Sequence, residues 1–150
     1  MSDIIPSLQP LVRLQVEVAP PDMIDPTGRR LIPILGGTVS GSLSGHILPG
    51  GADWQTIWPD GRIEINARYV LELDCGATVE VQSDGIRSGP PEILAQLGRG
   101  ERVDPRSYYF RTAIRFRTVA PKLDRLNAML ALAAGARADG CITLTVFEVM

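Results

Sequence analysis

The segment Leu48-Pro49-Gly50-Gly51-Ala52-Asp53-Trp54-Gln55 places an acidic and an aromatic residue directly after paired glycines. The glycines give the backbone the freedom that a loop needs where a ligand approaches closely. A carboxyl group beside an indole in an apolar cup could have a raised pKa and act as a general base, with Trp54 shaping the pocket. A structural role, in which Asp53 caps the turn and Trp54 fills the core, fits the same pattern, so both interpretations stay open.

A second group of candidates is the pair Tyr108-Tyr109 with Arg111 two residues later. Successive side chains of a strand point to opposite faces, so Tyr108 faces away from Tyr109 and Arg111. Arg111 with a tyrosine hydroxyl would form a donor pair for a carboxylate, enolate or phenolate oxygen. A buried arginine can equally be the partner of an acid such as Asp53 or Glu148, and that alternative is not excluded.

Arg68 and Tyr69 are candidate substrate-binding residues in a long alternating segment. They are adjacent, so at most one of them points into a barrel. Tyr69 shares its face with Ile65 and Leu71, which favours a place in the core. Arg68 has polar residues on its own face and could lie on a polar interior or on the outer surface.

Metal and nucleotide chemistry find little support in the sequence. His46 is the only histidine, which excludes a multi-histidine metal site and favours a surface role for that residue. Cys75 and Cys141 have no C-x-x-C spacing and do not indicate a nucleophile or a ligand pair. The chain has no Walker lysine, no G-x-G-x-x-G in register and no G-x-S-x-G elbow. We therefore expect no metal and no cofactor.

The charge balance of the chain limits the kinds of partner that it can bind. The 150 residues carry 15 Lys+Arg and 17 Asp+Glu, a formal net charge of −2, so there is no basic field to hold a phosphate backbone. No uninterrupted apolar run approaches the ~18 residues of a membrane-spanning helix. Two cysteines and an N-terminus without a basic and then apolar region predict a cytoplasmic protein. The expected partner is a small molecule, not nucleic acid or membrane.

Fifteen glycines and twelve prolines recur at short intervals, as they do where many short strands are joined by turns. Leu11 to Val18 alternates with the two-residue period of a half-buried strand, and Arg62 to Leu73 does the same over a length that suits a barrel. Asp60-Gly61 predicts a hairpin between Trp54–Trp58 and that long strand. Two further strands are expected at Leu31–Leu35 and Thr38–Leu48.

In the second half, Asp74-Cys75-Gly76 predicts a turn into a strand at Thr78–Gln82, and Asp84-Gly85 predicts another turn. Pro90-Pro91-Glu92 followed by ILAQLG predicts one short helix. Strands follow at Tyr108–Thr118 and Cys141–Val149, and the ambiguous LNAMLALAAGAR between them is assigned to a strand. We expect residues 1–150 to form a single, mainly antiparallel all-β domain.

From Leu31 onward the sequence resembles the uncharacterised DUF3237 family, also called UPF0311. The likeness is carried by IPILGG at 32–37, G-x-x-LPGGADWQ at 45–55, ARY at 67–69, VDPRSYYFRT at 103–112 and the terminal VFEV. The resemblance implies a closed or nearly closed calycin-like β-barrel and says little about activity.

The resemblance also covers Pro121 and the pair Leu126-Asn127, which makes Asn127 a candidate ligand-binding residue. Members of the family are expected to have aromatic residues between Pro121 and Asn127, whereas this chain has Leu123 and Arg125. If that segment lines the site, the choice of ligand differs from that of the commoner members.

These observations support two functions. The first is a cofactor-independent isomerase, cyclase, lyase or hydrolase for a small, partly apolar carbonyl compound, with Asp53 as base and Tyr108 or Tyr109 with Arg111 as oxygen stabilisers. The second is a non-catalytic carrier or sensor whose barrel holds an apolar small molecule. The long strand mixes apolar with polar residues on its outward face, so we also expect a homodimer or higher homo-oligomer.

Overall fold

The computed structural model describes residues 2–150, which form strands joined by short turns, with one short α-helix among them. The strands are β1 (Leu8–Val18), β2 (Asp22–Met23), β3 (Arg29–Gly41), β4 (Gly45–Ile47), β5 (Ala52–Ile57), β6 (Ile63–Leu73), β7 (Thr78–Ser88), β8 (Tyr109–Arg117), β9 (Ala131–Ala138) and β10 (Cys141–Val149). The helix α1 spans Pro91–Gly98, and two 3₁₀ helices, η1 and η2, span Pro105–Ser107 and Pro121–Ala128.

The sheet closes on itself because β1 pairs with β10 on one side and with β3 on the other. From β6 to β10 every neighbouring pair is antiparallel. β4 and β5 both lie between β3 and β6 and together fill one position in the wall. The result is a closed eight-stranded antiparallel barrel with one short helix, which confirms the fold class predicted from the sequence.

Strand alternation divides the side chains between the interior and the surface. In β1, Val12, Leu14 and Val16 are buried, whereas the residues between them are exposed. In β6, every second residue from Ile63 to Leu73 is buried, as the two-residue period predicts. The parity of a residue within its strand therefore decides whether it can reach the barrel interior.

The two strands expected at Leu31–Leu35 and Thr38–Leu48 are in fact one strand, β3, followed by the short β4. Gly36 and Gly37, which lie between the two predicted strands, are inside β3. Gly37 has φ +145°, and a Cβ there would lie 1.9 Å from the carbonyl oxygen of Gln15 on β1. The glycine permits close contact between two strands of the wall, so the prediction of two strands was wrong.

The turn predicted at Asp84-Gly85 was also wrong, because β7 continues through it to Ser88. A Cβ on Gly85 would lie 2.2 Å from the carbonyl oxygen of Arg111 on β8, so glycine is needed for strand contact at this point. Asp84 points outward and accepts a hydrogen bond from the Asn66 side chain at 2.7 Å. The hairpin at Asp60-Gly61 is confirmed, with Ile57 and Ile63 paired across it.

The helix α1 is confirmed at the predicted place and packs Leu94 and Leu97 against the barrel. LNAMLALAAGAR is a strand only from Ala131, because its first residues, Leu126 and Asn127, belong to η2. Among residues 2–150, no helix has the length and apolar character needed to cross a membrane.

The close contact at Gly85 predicts a stability difference between two glycine-to-alanine variants. Gly85→Ala forces β7 away from β8 and should cost about 1–3 kcal/mol, as overpacking usually does. At roughly 2–4 °C per kcal/mol for a domain of this size, calorimetry should show a clearly lower melting temperature. Gly98→Ala is the matched control, because nothing lies within 4 Å of a Cβ there. Equal melting temperatures for the two variants would contradict this explanation of Gly85.

Candidate functional site

The barrel interior contains two adjoining cavities at one end of the barrel. The outer chamber has a volume of about 270 Å³ and lies between the ends of several strands and the C-terminal end of α1. The inner cavity, of about 30 Å³, lies deeper. Both cavities are lined by Val18, Ile65, Phe110 and Ile142, so they share an apolar wall.

Asp53 lines the inner cavity and is 6% exposed. It lies on β5 next to Trp54, which is 45% exposed, so alternation turns the acid inward and the indole outward. The Gln55 side chain donates to Oδ2 at 2.7 Å, and the backbone N–H of Asn66 donates to Oδ1 at 3.0 Å. A carboxylate has about four lone-pair positions, so each oxygen keeps capacity for a further donor.

Burial raises the pKa of Asp53 above its ordinary value. The two hydrogen bonds and the positive charges of Arg30 and Arg87 act in the opposite direction but are weaker than burial. A carboxyl group with a raised pKa in an apolar cavity is a stronger base than a free aspartate once it has lost its proton.

Three hydroxyl-bearing residues, Tyr69, Ser83 and Thr112, line the same inner cavity. Tyr69 is 4% exposed, and burial together with the charge of Asp53 raises the pKa of its hydroxyl, which stays protonated at neutral pH. Residues 2–150 supply no hydrogen-bond partner for Tyr69 Oη or for Thr112 Oγ1. The cavity therefore holds a carboxylate beside donors that protein groups leave available.

Three of the residues predicted from the sequence to take part in chemistry lie on the outer face of the barrel. Tyr109 is 52% exposed, and the Arg111 guanidinium stacks 5.3 Å from its ring centroid while donating to the Phe110 carbonyl at 2.9 Å. Arg68 is exposed and donates to the Gln82 side chain at 3.0 Å. Phe110 and Thr112 take the inward positions of β8, so Arg111 cannot share a cavity with Asp53.

Tyr108 is buried, but it is not among the residues that line either cavity. Its hydroxyl oxygen accepts a hydrogen bond from the backbone N–H of Arg137 at 2.9 Å, which fixes the end of β9. Of the residues predicted for the site, the structure thus brings together Asp53 and Tyr69. It places Trp54, Arg68, Tyr109 and Arg111 outside.

The segment with Asn127 has a structural part in the fold. The Asn127 side chain accepts from the Thr118 N–H and donates to the Thr118 carbonyl, both at 2.9 Å, which ties η2 to the end of β8. Arg125 pairs with the buried carboxylate of Glu148, so Arg111 is not the partner of that acid. Neither Asn127 nor Arg125 lines the two cavities.

Arg30, Arg87 and Arg137 line the outer chamber and were missed in the sequence analysis. The sequence pattern that could have identified them is the alternation of inward and outward residues along each strand. Arg87 continues the inward series Val79, Val81, Ser83 and Gly85 of β7, which the supposed turn at Asp84-Gly85 interrupted. Arg137 continues the inward series of β9 in the same way.

The outer arginines are linked to Asp53 through Gln55. Arg30 Nε donates to Gln55 Oε1 at 2.8 Å, and the amide nitrogen of Gln55 donates to Asp53. Burial and the neighbouring charges of Arg137 and Arg30 lower the pKa of Arg87 to about 10, which leaves it positively charged at neutral pH. Burial and the charge of Arg137 likewise lower the pKa of Arg30.

Metal-ligating side chains do not cluster in the described part of the chain: residues 2–150 contain no group of three or more His, Cys, Asp or Glu placed to hold a metal ion. His46 lies on the surface with Nε2 3.4 Å from the Glu72 carboxylate. Cys75 is exposed, and Cys141 is partly buried.

Comparison with known proteins gives consistent matches over nearly the whole chain. The family model "Protein of unknown function (DUF3237)" matches residues 6–149. A UPF0311 protein from Bradyrhizobium diazoefficiens is 46% identical over 122 residues, covering 81% of this chain and 80% of that protein. The crystal structure of a conserved protein of unknown function from Rhodopseudomonas palustris is 39% identical, with a TM-score of 0.95 over 99% of this chain and 100% of that one.

A crystal structure of an enzyme from Penicillium herquei is a more distant match. It has a TM-score of 0.74 over 100% of this chain and 98% of that one, at 18% identity. At this level of identity, the match shows a shared fold.

The buried position of Asp53 predicts that it titrates above the ordinary value of 3.8. Between 3.8 and the raised pKa, the folded chain holds this proton while the unfolded chain has released it. The contribution of Asp53 to the free energy of unfolding therefore falls as pH rises through that range. Carbon-13 NMR of the carboxyl group, assigned by comparison with Asp53→Asn, measures the pKa directly. A midpoint at or below 3.8 would show that burial does not dominate.

Proposed function

Since the chain belongs to the DUF3237 family, whose function is unknown, its activity has to be inferred from the cavity, and we propose that it is an enzyme acting by acid–base chemistry. The substrate is a small, partly apolar carbonyl compound. The reaction is an isomerisation, cyclisation, cleavage or hydrolysis that the side chains of the barrel carry out without a cofactor.

The observation that carries this proposal is a buried carboxylate facing the same cavity as an available hydroxyl group. Asp53 and Tyr69 both line the inner cavity, and residues 2–150 supply no partner for the Tyr69 hydroxyl. Removing a proton from the carbon next to a carbonyl needs a base, and the oxygen that becomes negative needs a hydrogen-bond donor. Asp53 is suited to the first task and Tyr69 to the second.

The apolar wall supports the same assignment. Ile65 and Phe110 line both cavities and keep the environment of the carboxylate poor in water, which strengthens each electrostatic interaction there. The outer chamber is of a size for the body of a small substrate, and the inner cavity has room for little more than its carbonyl group beside Asp53 and Tyr69. This chain shares its fold with an enzyme from Penicillium herquei, so the fold itself is compatible with catalysis.

A non-catalytic carrier or sensor is the second candidate function, and one observation favours it. Both oxygens of Asp53 already accept a hydrogen bond, from Gln55 and from the backbone of Asn66. An acid held in this way can serve to fix β5 against β6 and leave the cavity for binding alone. The two functions differ in whether the carboxylate exchanges protons with a bound ketone.

Deuterium exchange into 4-phenylbutan-2-one, followed by proton NMR in D₂O, tests the enzyme proposal. This neutral ketone has exchangeable protons next to its carbonyl and an apolar ring. We expect the protein to accelerate exchange above the buffer rate, and Asp53→Asn to remove about 10²-fold of that acceleration, as loss of a general base usually does. The rate should rise with pH through the Asp53 pKa, because the base is the deprotonated form.

Two tyrosine variants provide the matched controls. Tyr69→Phe removes the hydroxyl that would stabilise the oxygen and should slow exchange, whereas Tyr109→Phe makes the same change outside the barrel and should not. Melting temperatures show whether each variant is folded. If Asp53→Asn melts several degrees lower yet exchanges as fast as the wild type, Asp53 is a structural residue and the enzyme proposal fails.

A further inference from the structure

We propose that the outer chamber binds an anionic oxygen group of the ligand, a carboxylate or a phosphate, through Arg30, Arg87 and Arg137. The inference rests on the proposed function in placing the ligand in this cavity, and it adds the chemical class that the cavity selects. It is carried by three observations: the convergence of the arginines, the hydrogen-bonding capacity left on Arg87, and the excess of these arginines over the acids near them, with no ion pair between the two within residues 2–150.

The three arginines come from different parts of the chain and converge on one chamber. Arg30 lies at the start of β3, Arg87 near the end of β7 and Arg137 near the end of β9. All three side chains line the same space of about 270 Å³. Like charges repel, so their convergence costs free energy unless a negative group lies among them.

Arg87 is the most informative of the three. It is 6% exposed, and residues 2–150 offer no hydrogen-bond partner to its Nε, although the group is buried. Burying a guanidinium without satisfying its donors is costly, and structural arginines are normally paired. A donor left available beside a ligand-sized chamber fits a group that binds the ligand.

The acids near the chamber do not balance the three arginines. Among the ion pairs within residues 2–150, none involves Arg30, Arg87 or Arg137, whereas Arg99 at the rim is paired with Glu101. Asp139 lines the chamber as an exposed residue, and Asp53 lies deeper and is already hydrogen-bonded. The chamber therefore keeps an excess of positive charge.

Hydrogen bonds to protein groups hold Arg30 and Arg137 in position at the chamber. Arg30 is oriented by Gln55 at 2.8 Å, and Arg137 Nη1 donates to the Leu97 carbonyl at the end of α1, at 3.0 Å. Each of these bonds uses part of the five-donor guanidinium and leaves donors for a ligand. Guanidinium groups bind carboxylate and phosphate in the same forked geometry, so these two anions share one recognition chemistry.

The binding of three probes by isothermal titration calorimetry tests the proposal. The probes are 4-oxo-4-phenylbutanoate, which has a ketone and a carboxylate, its neutral amide 4-oxo-4-phenylbutanamide, and phenyl phosphate. We expect at least one anion to bind about tenfold or more tightly than the amide, since hydrogen bonds to charged groups contribute that much. The anion that binds more tightly shows whether the chamber selects a carboxylate or a phosphate.

Variants assign the binding to the chamber. Arg87→Gln should weaken binding of the preferred anion about tenfold or more. Arg115→Gln removes the same charge from the outer face of β8 and should leave the affinity unchanged. Because Arg87 carries an unsatisfied donor and two repelling neighbours, Arg87→Gln should melt no lower than the wild type, whereas a purely structural arginine would make it melt lower. Should Arg87→Gln not fold, Arg137→Gln replaces it.

Failure of this inference is distinguishable from failure of the enzyme proposal. Asp53→Asn keeps all three arginines and should bind the preferred anion at least as tightly as the wild type, while losing deuterium exchange. If both anions bind no more tightly than the amide, or if Arg87→Gln and Arg137→Gln bind them as the wild type does, the arginine chamber is not an anion site. Loss of deuterium exchange in Asp53→Asn would still support the assignment of Asp53 as the general base.

Discussion

Closure of the sheet through β1 is the constraint on which the rest of the structure depends. Because β1 pairs with both β10 and β3, the barrel has an inside and an outside, and every strand has to divide its side chains between them. Asp53 and Tyr69 meet because both occupy inward positions of the neighbouring strands β5 and β6. Arg111 is separated from them by a single step in the alternation of β8.

The interior combines groups whose burial is unfavourable for folding alone. Asp53 has a pKa raised by burial, and Arg87 has one lowered by burial and by neighbouring arginines. No direct ion pair joins them within residues 2–150, where Gln55 instead relays hydrogen bonds from Arg30 to Asp53. Opposite charges in adjoining cavities, with no ion pair between them, fit a site in which a ligand completes the electrostatics.

Local patterns in the sequence predicted the fold well, because barrel strands with one buried face repeat every two residues. β6 and the Asp60-Gly61 hairpin are examples. The same logic failed at Asp84-Gly85, since a glycine needed for contact with the neighbouring strand has the same sequence signature as one needed for a turn. That error hid Arg87, whereas Asp53 was found from the paired glycines that precede it, although it lies on β5. The convergence of the three arginines depends on the pairing of strands that are distant in sequence. A local sequence pattern carries no information about that pairing.

The central claim is that two adjoining cavities inside the barrel hold the base and the anion-binding arginines of one site. A crystal structure of the protein in complex with 4-oxo-4-phenylbutanoate tests it most directly. The account predicts the carboxylate within hydrogen-bond distance of Arg87, and the ketone directed towards Tyr69 and Asp53 inside the barrel. A ligand bound only on the outer face, for example at Tyr109 and Arg111, or bound inside with its carboxylate away from all three arginines, would contradict the claim.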